Sequence, residues 1–205
     1  MAHEVKNPLT TVKAYLQILE AKEEFKSRKK DFEVILDEIQ RAVTIIDDYL
    51  VLGREGGATP KSKQLNDIII SLYPLINSSA GASSNRVIME LDEIPEIPLI
   101  EKEIKQLLLN LVKNSLEAMP GGGMLTIISF VDDGKVVLGI KDQGKGIDPG
   151  IKRNLGKPFN TNKEGGSGLG LAVCHKIAEK HGADIKVETG PAGTMFTVRF
   201  GMGNG

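Results

Sequence analysis

Over its first fifty residues this chain spaces its large apolar side chains by alternating steps of four and three. Val5, Leu9, Val12, Leu16 and Leu19 make one such series, and Phe32, Leu36, Ile39, Val43, Ile46 and Leu50 make another. Steps of that kind place each series along one face of a helix as a heptad seam. A polar segment from Ala21 to Lys30 separates the two, so the helices are expected to fold back as an antiparallel hairpin. Two helices with one apolar stripe each have little core of their own. The seam is therefore expected to pack against a second copy as a four-helix bundle, making the protein a homodimer.

The register also fixes what the first turn presents. With Val5 and Val12 at d and Leu9 and Leu16 at a, His3 falls at b, Glu4 at c and Asn7 at f, all facing solvent. His3 and Asn7 are four residues apart and share an outer face, and Pro8 cannot donate to the carbonyl of Glu4. A kink just past the histidine is expected there. His3 to Asn7 also mimics the HExxH helix of zinc proteases, but Asn7 stands where the second imidazole is required, so a metal reading is discarded.

The helical spacing ends near Gly56-Gly57-Ala58-Thr59-Pro60, which divides the chain into residues 1–56 and 57–205. Beyond that point Leu65–Ile76 is expected as a helix, Arg86–Leu91 as a strand and Ile100–Met119 as a long helix. Gly123–Phe130 and Lys135–Lys141 form strands around a hairpin turn at Asp132-Asp133-Gly134. Leu169–His181 reads as a helix closed by Gly182, followed by a hairpin of Asp184–Thr189 with Thr194–Phe200. Helices and strands interspersed in this way predict an α+β fold: the helical hairpin first, then an α/β sandwich with helices layered on one sheet face.

Composition narrows the functions available. A net charge of −1, with lysines interspersed among glutamates, gives no field for a polyanion, so nucleic acid is excluded as a partner. The apolar run from Ile68 to Ile76 is too short to span a bilayer and is broken by Pro74. No signal segment opens the chain, and the lone Cys174 suits a reducing compartment as a buried small hydrophobe. A cytoplasmic protein is expected, with a membrane entering only through an upstream region.

Four clusters follow one another in the second part. They are Asn110 with Asn114, Asp142-Gln143-Gly144-Lys145-Gly146, the stretch Phe159 to Lys163, and Gly165-Gly166-Ser167-Gly168-Leu169-Gly170. One glycine run would carry little weight, but four parts in this order point to an ATP site. Gly139, Gly144 and Lys145 also mimic a P-loop, yet Gly146 stands where a Ser or Thr hydroxyl is needed, and that reading fails.

His3 to Thr10 resembles the H box of two-component sensor histidine kinases. Asn110 to Met119, Asp142 to Gly146, Phe159, and Gly166 to Gly170 resemble their N, G1, F and G2 boxes. The phrasing of Asn114 to Met119 and of the lid is most similar to sporulation-type and nitrogen-regulation-type kinases. The resemblance implies a dimerisation and phosphotransfer hairpin followed by a Bergerat-type ATP-binding domain, a catalytic core without its upstream sensor. It implies that His3 accepts the γ-phosphoryl group of Mg-ATP while Glu4 orients it and takes its proton. The phosphoryl group then passes to an aspartate of a response-regulator receiver domain. Asn7 would help to position water if the protein also dephosphorylates that partner, and a regulatory or inhibitor protein docking on the bundle is a further implied partner.

The residue chemistry suits those roles. Asn114 offers magnesium a neutral hard oxygen when the triphosphate supplies the charge. Asn110 stands where related ATPases carry a glutamate that activates water, so transfer rather than hydrolysis is implied. Asp142 accepts hydrogen bonds only, which matches the exocyclic amine of adenine. Gly144 and Gly146 let backbone approach the base with positive φ. Gly166, Gly168 and Gly170 open a helix at Leu169 whose first amides suit phosphate oxygens. Pro149 to Gly168 reads as a mobile lid, with Thr161 and Lys163 as phosphate contacts, while Asn160 and Asn162 depart from the aromatic and threonine usual there. His175 and His181 are read as structural. Two other classes fit parts of the pattern: an ATPase or serine kinase of the same superfamily, and a degenerate ATP-binding scaffold that only docks partners.

Overall fold

The computed structural model of the chain describes residues 2–53, 58–161 and 166–202, the first four of them by backbone alone. It divides into two compact units, Met1–Glu55 and Gly56–Gly205.

The first unit is the hairpin. Helix α1, Ala2–Glu20, is followed by a 3-10 turn at Glu23–Arg28 and then helix α2, Lys29–Gly53. Lys6 pairs with Asp47 at 2.7 Å and Lys13 donates to Gln40 at 2.6 Å, so the helices run in opposite senses. At the turn end Phe25 meets Phe32 edge-on, ring centres 5.7 Å apart. Leu9, Leu16 and Leu19 are half-buried, as are Phe32, Leu36, Ile39, Val43, Ile46 and Leu50. Val12, Tyr15, Ile18, Val34, Ile35 and Tyr49 stay exposed, so one hairpin leaves a second apolar stripe uncovered. Val12 thus departs from its expected place in the seam. Helix α1 continues through Pro8, where Thr10 and Thr11 donate their hydroxyls to the carbonyls of Lys6 and Asn7.

The second unit is a five-stranded sheet with helices on one face. Its strands are β2 (Arg86–Leu91), β4 (Met124–Asp132), β5 (Lys135–Asp142), β6 (Asp184–Gly190) and β7 (Gly193–Gly201), in the order β2-β4-β5-β7-β6. Helices α3 (Leu65–Ala82), α4 (Glu101–Glu117) and α6 (Gly170–Lys180) cover the side bearing Leu125, Ile127, Leu138, Ile140, Phe196 and Val198, all buried. On the other side Ile128, Phe130 and Met195 are only half-buried.

Local chemistry accounts for most boundaries. Asp133 and Gly134 both take positive φ, 49° and 67°, giving the primed turn that matches strand twist. Past α6, Gly182 N–H bonds to the Glu179 carbonyl and Ala183 N–H to that of Ala178, a Schellman closure. Helix α3 runs six residues beyond its expected end at Ile76, because burial of Ile76 and Ala80 outweighs the hydrogen bond lost at Pro74. The strand pair β1 (Lys61–Lys63) with β3 (Ile97–Leu99), the parallel pairing of β2 with β4, and the short helix α5 (Pro149–Lys152) have no counterpart in the sequence reading.

Candidate active site

Asp142 ends β5 and is only 2% exposed. Its Oδ1 accepts two backbone hydrogen bonds, from Gly144 at 2.9 Å and from Thr194 at 3.1 Å. Among the described residues nothing bonds to Oδ2. The carboxylate is thus held through one oxygen by two charge-assisted hydrogen bonds and offers the other. Thr194 is the register partner of Asp142 on β7, and its hydroxyl lies 3.1 Å from that of Thr189, which in turn accepts from Ile147 N–H at 2.9 Å. This threonine pair was missed in the sequence. Its signal is the pairing of two strands 52 positions apart, which no local window contains.

The glycines beside Asp142 do two different jobs. A methyl group on Gly144 would stand 2.7 Å from the Cβ of Ala118 and 2.8 Å from its carbonyl oxygen, so the chain there must lie directly on α4. Gly144 does not take the positive φ expected of it; only Gly146 does, at 76°, and a methyl there would collide with the Gly190 carbonyl oxygen.

Helix α4 brings the first cluster to the fourth. Asn110 donates from Nδ2 to the carbonyl of Gly170 at 3.2 Å, so the first turn of α6 is tied to α4. The side chain of Asn114, one turn on and half-buried, makes no hydrogen bond among the described residues. Leu169, 1% exposed, is the residue before α6, and no side chain caps the helix there. The first N–H groups of α6 are therefore left open to an outside acceptor. Ser115, next after Asn114 on α4 and fully buried, has a hydroxyl without a partner among the described residues.

The third cluster is divided. Phe159 is 69% exposed and takes a φ of 62°, a conformation a bulky residue adopts only when its surroundings impose it. Its backbone abuts Gly168. Thr161 is exposed, Gly166 is exposed, and Lys163 with Asn162 and Gly165 lies outside the described residues. On α1 Asn7 is exposed. His3 and Glu4 stand in the first turn of that helix, with their side chains outside the described residues.

The two later histidines stand on α6 and at its end. His181 accepts from Ile100 N–H at Nε2, 3.0 Å, and bonds through Nδ1 to the Ile177 carbonyl at 2.8 Å. The neutral ring protonated on Nδ1 satisfies both contacts and ties α6 to the start of α4. His175 is half-buried, and burial holds its pKa below the ordinary histidine value.

Residues 100–204 match the family described as histidine kinase-, DNA gyrase B-, and HSP90-like ATPase. The chain belongs to this ATPase family. Residues 1–57 match the His Kinase A (phospho-acceptor) domain, so the two matches together make it a sensor histidine kinase catalytic core. Sporulation kinase C of Bacillus subtilis (strain 168) is 36% identical over 97% of this chain and 46% of its own length. The chain thus spans about half the length of that relative. Two solved structures share the fold. ShkA in complex with AMPPNP has a TM-score of 0.82 at 20% identity, over 100% of this chain and 45% of its own. ThkA in complex with response regulator protein TrrA has 0.72 at 27% identity, over 98% of this chain and 59% of its own.

Proposed function

We propose that this core transfers the γ-phosphoryl group of ATP to His3 and passes it on to an aspartate of a response-regulator receiver domain. The observation that carries the reading is the state of Asp142: one oxygen is consumed by two backbone donors, and the other is open beside a glycine flush against α4. That arrangement suits an exocyclic amine. The side-chain-free start of α6 then receives phosphate oxygens, with Gly166, Gly168 and Gly170 lining their approach and Phe159, Thr161 and Lys163 closing from the lid.

A magnesium ion fits through Asn114, whose amide oxygen is uncommitted. No group of three or more His, Cys, Asp or Glu side chains suited to a metal exists among the described residues, so such an ion would be held chiefly by the nucleotide's own phosphates. Bound there, it would neutralise charge on the triphosphate. Asn110, tied to the Gly170 carbonyl, is an amide and cannot take a proton from water, which favours transfer over hydrolysis.

At His3 an imidazole nitrogen forms the new bond to the γ-phosphorus as the bond to the β–γ bridging oxygen breaks and ADP leaves; Glu4 takes the ring proton. Asn7 serves water positioning in dephosphorylation. Residues 1–56 are the dimerisation and phosphotransfer unit, and residues 57–205 bind ATP. The dimer reading is supported by the uncovered stripe of Val12, Tyr15, Ile35 and Tyr49, which a second hairpin would bury. The relation to ThkA in its complex with TrrA supports the receiver-domain partner. We place the reaction in the cytoplasm, where ATP is available; among the described residues no helix is long and apolar enough to cross a membrane.

Incubation with γ-labelled ATP tests the reading. Acid-labile label should appear on the chain and vanish in His3→Gln, while nucleotide binding and dimerisation persist. Acid-stable label, or label that survives the substitution, would overturn the assignment.

A further inference from the structure

The segment from Pro149 to Thr161 is folded back on itself. Asp148 Oδ1 caps its start by accepting from Gly150 N–H at 2.7 Å. The Asn160 side chain closes its end, donating from Nδ2 to the carbonyls of Ile151 at 3.2 Å and Asn154 at 2.9 Å. A loop tied in this way moves as a unit.

That unit meets α6 at two points. At the helix start, a methyl on Gly168 would lie 2.7 Å from the backbone carbon of Phe159 and 2.9 Å from Asn160 nitrogen. Five residues into the helix, His175 lies flush on Gly156, which takes a φ of 82°. A methyl on Gly156 would collide with His175 Cδ2 and stand 2.8 Å from Nε2. That nitrogen is buried and has no hydrogen-bond partner among the described residues. A buried unpaired nitrogen is costlier than a phenyl ring of similar shape. The flat imidazole therefore acts here through its face and volume, as the floor on which the loop rests.

We propose that His175 is the seat of the 149–161 segment, a positioning residue that holds Phe159 against the Gly168 turn and so sets nucleotide affinity without touching the nucleotide. The inference rests on the ATP reading above. Its mechanism is geometric: a loop fixed at Gly156 fixes the backbone of Phe159 and Asn160 beside the first amides of α6, where phosphate oxygens would bind. A loop released at Gly156 leaves that turn without its neighbour.

Hydrogen exchange resolved by segment, with ATP titration, on the whole chain tests this. In His175→Ala, amides of residues 151–161 should exchange faster without ATP while α4 and the sheet keep their protection, and ATP affinity should fall by about fivefold or more. His175→Phe, which keeps a flat ring, should restore both. Unchanged exchange of the segment in His175→Ala would overturn the proposal, as would faster exchange spread equally over the sheet and helices, since that is the signature of a plain core residue. If the unsubstituted chain bound no ATP, the nucleotide reading and the coupling would both fall. If it bound ATP and His175→Ala bound it equally well, the seat alone would fall.

Discussion

Replacing Asp142 by Asn tests the adenine contact with little change of shape. The acceptor work of Oδ1 toward Gly144 and Thr194 is retained, because the amide oxygen can take both N–H groups. What changes is the second atom, which becomes an NH2 facing an amine that is itself a donor. Loss of a hydrogen bond to a charged group costs about 1.5 to 3 kcal/mol. At about 1.4 kcal/mol per tenfold, ATP affinity should fall between roughly 10-fold and 150-fold. Calorimetric titration with ATP reads this directly, and a thermal melt beside it shows whether the fold is intact. Asp142→Ala provides the contrast: both N–H groups are then left buried and unpaired, at about 1 to 3 kcal/mol each, so the melt should fall as well. Undiminished affinity in Asp142→Asn, with an intact melt, would refute the argument and place the base elsewhere.

Ile39 is half-buried in the hairpin seam, and Ile39→Lys would set an ammonium group among apolar side chains. Sedimentation should show monomers while ATP titration is unchanged; a persisting dimer refutes the seam. His181→Ala removes a hydrogen bond at each ring nitrogen and leaves the Ile100 N–H buried and unpaired. The second unit should lose about 1 to 3 kcal/mol by urea denaturation. Burial lowers the pKa of His175 from 6.5, so the unfolded chain binds that proton more readily. Its contribution to stability is present above about pH 6.5 and is lost as pH falls through the lower folded value, an acid limb that His175→Phe should flatten in thermal melts across pH 5 to 8.

Legibility in the sequence tracked the range of the interaction. Heptad spacing, the Asp133-Gly134 turn and the Gly182 closure are set by neighbours within a few residues, and they stand where the sequence places them. The extension of α3 past Pro74 depends on burial of Ala80 against other elements, which propensity does not report. Thr194 was legible as a strand start but not as a donor to Asp142, because that role exists only once β5 and β7 pair. Gly144 is expected from the sequence to approach the base with positive φ; it takes no positive φ, and its close approach to Ala118 is a demand the sequence does not show. Val12 reads as seam by period, yet it is 47% exposed in a single hairpin, since a stripe says which residues are apolar and not which helix covers them.

The sheet order carries a consequence for synthesis. Strand β7 lies between β5 and β6 although it follows both in the chain. A ribosome therefore releases Asp142 more than fifty residues before the backbone N–H of Thr194 that orients it. Until then β5 has an open edge, and the carboxylate has one of its two donors. Late insertion of a central strand is a long-range closure, the slow kind of folding step. A nascent core, or one clipped in the β6–β7 hairpin, would hold every glycine of the proposed nucleotide site and still lack the Thr194 donor that helps to orient Asp142. On the ATP reading proposed above, competence for nucleotide should arrive with the last strand, and chains that end before Thr194 should bind ATP more weakly than the whole core.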